Sequence, residues 1–327
     1  MKIGIPRALL YYYYSPFWKT FFEELGIEMV ISPKTSKAIL DKGIKESVPE
    51  ICVPIKIFNG HVVTLLEKDV DYVLIPRMVS IKKGEFFCPK FMGLPDIVRH
   101  SIPNAEDKIL YPQIKTNSDN LAKATDILQL AEPLGLSYSE LKSALKKAGK
   151  EWARFNKICK KGYLIPEANK LMQEKLVKAA PRSGDITIGL LGYVYNVYDE
   201  FVSMNVYKRL QDLNVNLVTF EMIRNKDINK YLKKMPKRLF WTFSNKLMGA
   251  GHYLNNNPGI DGIIHLSAFV CGPDSMLGQV LESETQKTKK PFMTVRVDEH
   301  TGENHLITRI EAFADMIRNS KKKRRWA

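Results

Sequence analysis

The sequence predicts an α/β protein made of two doubly wound parallel-sheet domains joined by a helical segment. Three observations carry that prediction. The chain has 327 residues, 45% of them hydrophobic, which exceeds the size at which a single core usually stops growing. A strand, helix, strand pattern occurs twice with matching order and length. Between the two copies lies a stretch whose apolar spacing is almost wholly helical.

The elements follow in order. Lys2-Ile-Gly-Ile-Pro6 is a short apolar strand, an aromatic-rich helix runs to Glu24 before Gly26, and Glu28-Met-Val-Ile-Ser32 is the next strand. In the second half, Ile186-Thr-Ile-Gly-Leu-Leu191 is a strand, Glu200 to Leu213 a helix, and Val215-Asn-Leu-Val-Thr-Phe220 a strand. Each half continues to an apolar strand opened by aspartate, Asp71-Tyr-Val-Leu-Ile-Pro76 and Asp261-Gly-Ile-Ile-His-Leu266, and then to a cysteine loop. Helices are expected over Ile57 to Lys68 and Met276 to Glu284. Asn117 to Ala180 reads as helical, broken at Pro133-Leu-Gly135, with Ser137 and Glu140 spaced as a capping box. The expected organisation is a first Rossmann-like domain over 1–116, a helical connection over 117–181, a second Rossmann-like domain over 182–320 and a basic tail over 321–327.

Composition narrows the function classes. Four cysteines are too few for a disulfide framework in a chain of this length, and no apolar run approaches the roughly 20 residues needed to span a bilayer. The amino-terminal run enters a strand without the regions of a signal peptide, so a cytoplasmic protein without membrane contact is expected. The net charge is +15. Part of it lies in Lys321 to Arg325, beyond the last helical pattern, where a solvated, frayed tail is preferred to a nucleic-acid arm. The remainder would attract a polyphosphorylated ligand such as coenzyme A or an acidic protein as readily as a nucleic acid, so charge names no partner.

The chemistry-bearing pattern is in the cysteines. Cys52-Val-Pro54, Cys88-Pro89 and Cys271-Gly-Pro273 each place a thiol one or two residues before a proline, and proline holds the chain there in extended or turn geometry. In open parallel sheets ligands bind beyond the carboxyl ends of strands, where these loops are expected. A cysteine at a helix start also feels the positive end of the dipole, which favours thiolate. Three soft thiolates suit an iron–sulfur cluster, although the spacing contains no CxxC pair and also fits ordinary buried cysteines. Cys159, inside a helical pattern with no proline neighbour, is set aside as a half-buried helix residue. Zinc held by the same three cysteines with His61 or His300 is the alternative metal. Neither a glycine-rich phosphate loop nor a nucleophile elbow is present, so the chain is not expected to hydrolyse ATP itself.

Several further segments carry a resemblance: Ile3-Gly-Ile-Pro-Arg-Ala-Leu9, Pro16-Phe-Trp18, Phe21-Phe-Glu-Glu-Leu-Gly26, Cys52-Val-Pro-Ile-Lys56 with Gly60-His61, Tyr193-Val-Tyr-Asn-Val-Tyr-Asp199, Cys271-Gly-Pro-Asp-Ser275, Asp298-Glu-His300 and Thr308-Arg-Ile-Glu-Ala-Phe313. Together, and over essentially the whole chain, they resemble the uncharacterised CoA-enzyme-activase domain family, related to 2-hydroxyacyl-CoA dehydratase components. The resemblance implies an iron–sulfur cluster, of the 4Fe–4S type, on Cys52, Cys88 and Cys271. It also implies electrons supplied by a separate ATP-hydrolysing iron–sulfur activator. Three ligands would leave one iron open, and a larger cluster of two fused cubanes fits the same cysteines. Relatives often read Gly-His-Pro-Tyr-Asn where this chain has Gly192-Tyr-Val-Tyr-Asn196, so any role of that histidine is absent here.

Around these cysteines, Lys56 and Lys90 are read either as offsets to cluster charge or as surface lysines. His61 is read as a hydrogen-bond donor or acid, or as structural. Asp298, Glu299 and His300 are read as proton-transfer groups or as a tie to the final helix through Arg309 and Glu311. Catalytic candidates are therefore His61, Lys56, Glu299 and His300. The expected function is reduction of a bound substrate, such as an acyl-CoA, by a radical-type dehydratase-like lyase or an ATP-coupled reductase component of anaerobic metabolism. Electron relay, an accessory subunit role or a zinc-stabilised binding protein are the alternatives, and oligomeric state is left open.

Overall fold

A computed structural model describes residues 1–181 and 183–326. The chain forms two compact units, Met1–Lys157 with Leu239–Thr242, and Ile158–Arg238 with Phe243–Ala327.

The first unit begins with β1 (Lys2–Ile5), α1 (Tyr11–Glu24), β2 (Glu28–Ile31), α2 (Lys37–Lys45), α3 (Val53–Leu66) and β3 (Tyr72–Leu74). It continues through β4 (Arg77–Ser80), α4 (Pro89–Met92), α5 (Leu94–Ser101), β5 (Ile109–Leu110), β6 (Gln113–Lys115) and α6 (Ala131–Leu134) into α7 (Tyr138–Cys159). Its main sheet is parallel, in the order β2-β1-β3-β5. Strands β4 and β6 pair separately, with a register shift between Met78 and Ser80. The aromatic stripe of α1 forms the core: Phe17, Phe21 and Phe22 are fully buried, each such ring contributing about 1.5–3 kcal/mol of transfer free energy. Helices α2 and α3 meet backbone to backbone at Gly43 and Gly60, where an added Cβ would lie 1.7 Å from the Lys56 carbonyl oxygen and 1.9 Å from that of Ile39.

The second unit contains α8 (Ile165–Lys170), β7 (Ile186–Gly192), α9 (Val194–Tyr198), α10 (Val206–Asp212), β8 (Val215–Val218), α11 (Asn225–Leu232) and α12 (Thr242–Asn256). It ends with β9 (Gly262–Ala268), α13 (Gly272–Thr288), β10 (Phe292–Val297) and α14 (Glu303–Trp326). Its parallel sheet runs β10-β9-β7-β8. In both sheets the first strand is flanked by the second on one side and the third on the other, so the repeat read in the sequence is a repeat of topology, and both halves are Rossmann-like. Strands β7 and β9 are buried along their whole length, which explains their unbroken apolar runs.

The structure differs from the expected elements at several points. Helices α3 and α13 start four residues earlier than expected, at Val53 and Gly272, because a proline in the first helical turn sacrifices only an N–H that lacks a partner anyway. Helix α10 starts late, at Val206, after Met204 and Asn205 adopt positive φ. The connection over 117–181 holds short 3-10 turns before α7, and Lys147 of α7 pairs with Glu24 inside the first unit. Ser137 and Glu140 form the expected capping box. The run Lys321 to Arg325 lies within α14 rather than beyond the last helix, and Lys321 is anchored to the Asp185 carbonyl and the Asp261 carboxylate. No helix among the described residues is long and apolar enough to cross a membrane.

Candidate functional site

All three proline-flanked cysteines occupy one kind of position. Cys52 is the N-cap of α3, Cys88 of α4 and Cys271 of α13, each extended and each followed by proline within the first two helical residues. The helix beginnings present N–H groups that have no intrahelical acceptor, at the positive end of the dipole. The three thiols are half-buried, whereas Cys159 at the end of α7 is fully buried rather than half-buried.

Cys52 and Cys88 share the first unit and sense each other. Burial pushes the Cys52 thiol up; the Ile55 N–H draws it back, Cys88 raises it and the Lys90 ammonium lowers it. Burial also raises the Cys88 thiol, against the N–H groups of Phe91 and Lys90 and the Lys90 charge. Lys90 is thus an exposed cation acting on both thiols. The approach to Cys88 is braced by a returning segment: the Phe86 N–H donates to the Phe240 carbonyl at 3.0 Å, the Thr242 N–H donates to the Phe86 carbonyl at 2.8 Å, and the Phe86 and Phe240 rings stack. The extra strand β4 separates Cys88 from β3, a difference from the expected equivalence with Cys271, which follows β9 directly.

Cys271 lies in the second unit behind a strained turn. Val270 has φ 65°, an outlier for a β-branched residue. Phe269, Val270 and Met276 around it are exposed. Among the described residues, no three His, Cys, Asp or Glu side chains are grouped so as to hold a metal ion.

The remaining candidates resolve individually. Lys56 is 4% exposed on α3, so it is not a surface lysine. His61 is completely buried, with Nδ1 2.8 Å from the Ser32 hydroxyl and Nε2 3.0 Å from the Thr35 hydroxyl. Burial, with the Arg7 charge second, pushes its pKa down to about 3, so the ring is neutral and ties the chain after β2 to α3. Asp298 accepts from the His300 N–H at 2.9 Å and from the Thr301 hydroxyl at 2.8 Å. Burial raises its carboxyl, but the Thr301 and His300 donors outweigh that and leave it low. Asp298 and Thr301 therefore order the turn before α14, and α14 itself is tied back by Arg309, which donates to the Thr294 carbonyl. Glu299 is half-buried and His300 exposed in the same turn.

Four buried polar residues lie outside the candidates that the sequence offers. His265 of β9 and Asp274 of α13 are both buried, with Nε2 and Oδ1 3.0 Å apart, three residues beyond Cys271. The available signal was a histidine inside the apolar run Ile263-Ile264-His265-Leu266. Asn196 of α9 is fully buried, and neither of its amide atoms has a hydrogen-bond partner among the described residues. Glu221 is buried beside Tyr198 and Thr219; burial raises its carboxyl despite the Tyr198 hydrogen bond.

A raised folded-state pKa makes Glu221's contribution full below the ordinary carboxyl value and lost as pH rises through the folded value. Glu221→Gln removes that dependence, so its melting temperature relative to the parent is expected to climb between pH 4 and pH 8. Thermal unfolding across that range checks it; a constant offset between the two proteins would contradict the assignment.

The family model described as CoA enzyme activase uncharacterised domain (DUF2229) matches residues 2–223. No curated protein matches the chain.

Proposed function

From the premise that the chain belongs to the CoA enzyme activase uncharacterised domain family, we propose that it is an iron–sulfur protein whose cluster, of the 4Fe–4S type, is held by Cys52, Cys88 and Cys271. The observation that supports this is the shared placement of the three thiols, each capping a proline-initiated helix. The donor set suits such a cluster: soft thiolates bind iron, and N–H groups and dipole ends stabilise the negative sulfurs and tune the potential. Burial keeps Cys52 and Cys88 protonated in the metal-free protein, so loading releases protons and is favoured as pH rises. When bound, the cluster would supply low-potential electrons and a Lewis-acidic iron.

The chain's own residues set the conditions. Lys90 lowers the cost of gathering negative sulfur at Cys52 and Cys88. Val270 holds the Cys271 turn. The family's description points to a CoA-linked substrate or an ATP-dependent activase partner, and the function proposed is acceptance of electrons from such an activator and reduction of a bound acyl-CoA. A second reading, electron relay without catalysis, is favoured by the exposed Phe269, Val270 and Met276 beside Cys271, an apolar rim suited to a docking protein.

Anaerobic reconstitution with iron and sulfide is expected to give acid-labile sulfide and an electron paramagnetic resonance signal on reduction. Cys52→Ala, Cys88→Ala and Cys271→Ala should each lose the signal, and Cys159→Ala should keep it. Zinc without labile sulfide, or a signal surviving all three single substitutions, would overturn the proposal. Substrate-dependent oxidation of the reduced cluster by acyl-CoA esters separates enzyme from relay.

A further inference from the structure

The first unit contains a pocket that the cluster proposal does not use. Its walls are Ile5 and Pro6 at the end of β1, Leu74 and Pro76 at the end of β3, and Trp18 and Tyr14 of α1. That is the switch point of the sheet: β2 lies on one side of β1 and β3 on the other, so the chain leaves the two strands in opposite directions and opens a crevice beyond their carboxyl ends. We propose that this pocket binds a small neutral aliphatic molecule of about four or five non-hydrogen atoms with one acceptor oxygen that takes a hydrogen bond from Tyr14.

Four observations support that ligand class. The cavity volume is about 60 Å³, and a site holds one water-sized atom for each ~10–15 Å³ measured in this way. The lining is almost entirely carbon, so water inside it finds few partners and an apolar group displaces it favourably. Pro6 and Pro76 have no N–H to offer, so the two strand-end walls give a carboxylate or phosphate no backbone donor. The exception to the apolar lining is the Tyr14 hydroxyl, which is buried with no hydrogen-bond partner among the described residues, while the residue is 1% exposed. Such a donor lacks only an acceptor.

The wall also contains Leu9 at φ 51°, and backbone strain of this kind concentrates at ligand sites. Phe91 closes the pocket from α4, its N–H on the Cys88 carbonyl at 2.9 Å, so an occupant would lie within one helical turn of that cysteine's helix start. The pocket proposal stands apart from the cluster reading, because it is tested on metal-free protein.

The probes are 2-butanone, butyrate, 2-octanone and xenon, with the Trp18 indole resonance as the reporter. Saturable shifts are expected with 2-butanone and with xenon, and none with butyrate or 2-octanone. Tyr14→Phe should weaken 2-butanone about tenfold, the worth of one hydrogen bond, and leave xenon binding intact, which shows that the pocket has survived the substitution. Leu74→Trp should fill the pocket and abolish both. Equal 2-butanone affinity in Tyr14→Phe would overturn the donor assignment. Xenon binding without 2-butanone binding, or butyrate binding as tightly as 2-butanone, would overturn the ligand class, and no binding of either probe would overturn the pocket.

Discussion

Gly60→Ala is expected to destabilise the first unit by about 3 kcal/mol or more, at the upper end of overpacking effects. The new methyl carbon would lie 1.9 Å from the Ile39 carbonyl oxygen. Because that atom is backbone, no rotamer change relieves the clash and α2 must move off α3. The reciprocal contact, Gly43 against the Lys56 carbonyl at 1.7 Å, makes Gly43→Ala equally costly. The displaced helix is the one capped by Cys52 and anchored by His61, so loss of the Cys52 position should accompany loss of stability. Gly272→Ala is the control, since a Cβ there meets nothing within 4 Å and should change stability by less than about 0.5 kcal/mol. Urea unfolding of the three variants checks the ordering; a Gly60→Ala protein within experimental error of the parent would refute the close-crossing argument.

The second large effect is at His265 and Asp274. Asp274→Leu should cost about 3 kcal/mol or more, because it strands a fully buried imidazole whose Nε2 has no other partner among the described residues. His265→Met should be costly in turn by stranding the carboxylate. The double variant His265→Met/Asp274→Leu, which removes both polar groups and fills similar space, is expected to recover most of the loss. A double-mutant cycle measures the coupling. Additive losses in the double variant would mean that the two residues act independently and that the 3.0 Å contact contributes nothing.

Much of this protein could be read along the chain. The strands β1, β2, β7, β8 and β9 are apolar runs bounded by turn residues, and local periodicity reports burial on a sheet wherever the pattern is strong. The repeat of strand, helix and strand foretold two sheets of one topology. The capping box at Ser137 and Glu140 is a contact across three residues, within reach of a local reading. The proline rule places Cys52, Cys88 and Cys271 in turns, and the local pattern puts the helix starts beyond the proline. In the structure it is inside the first turn, which makes each cysteine the cap itself.

Other features depend on residues far apart in sequence. Nothing near His61 announces Ser32 and Thr35 as its partners, and the neutral ring results from burial that only packing creates. His265 was visible as a polar residue in an apolar run, yet its partner comes from the first turn of α13. The basic run at Lys321 looked like a solvated tail because five like charges repel; the Asp185 carbonyl and the Asp261 carboxylate that anchor its first lysine lie 136 and 60 residues away.

Local order, then, was written in the amino acids in sequence: which stretches become strands, and which thiols stand beside prolines in turns. The family membership follows from that same one-dimensional pattern. The crossing at Gly43 and Gly60, the His265–Asp274 pair, the burial of Lys56 and Glu221, and the pocket beneath Tyr14 belong to tertiary structure alone. Each depends on where a backbone or side chain is brought by packing, and the interaction energies involved fall off within a few ångströms, so no local pattern carries them.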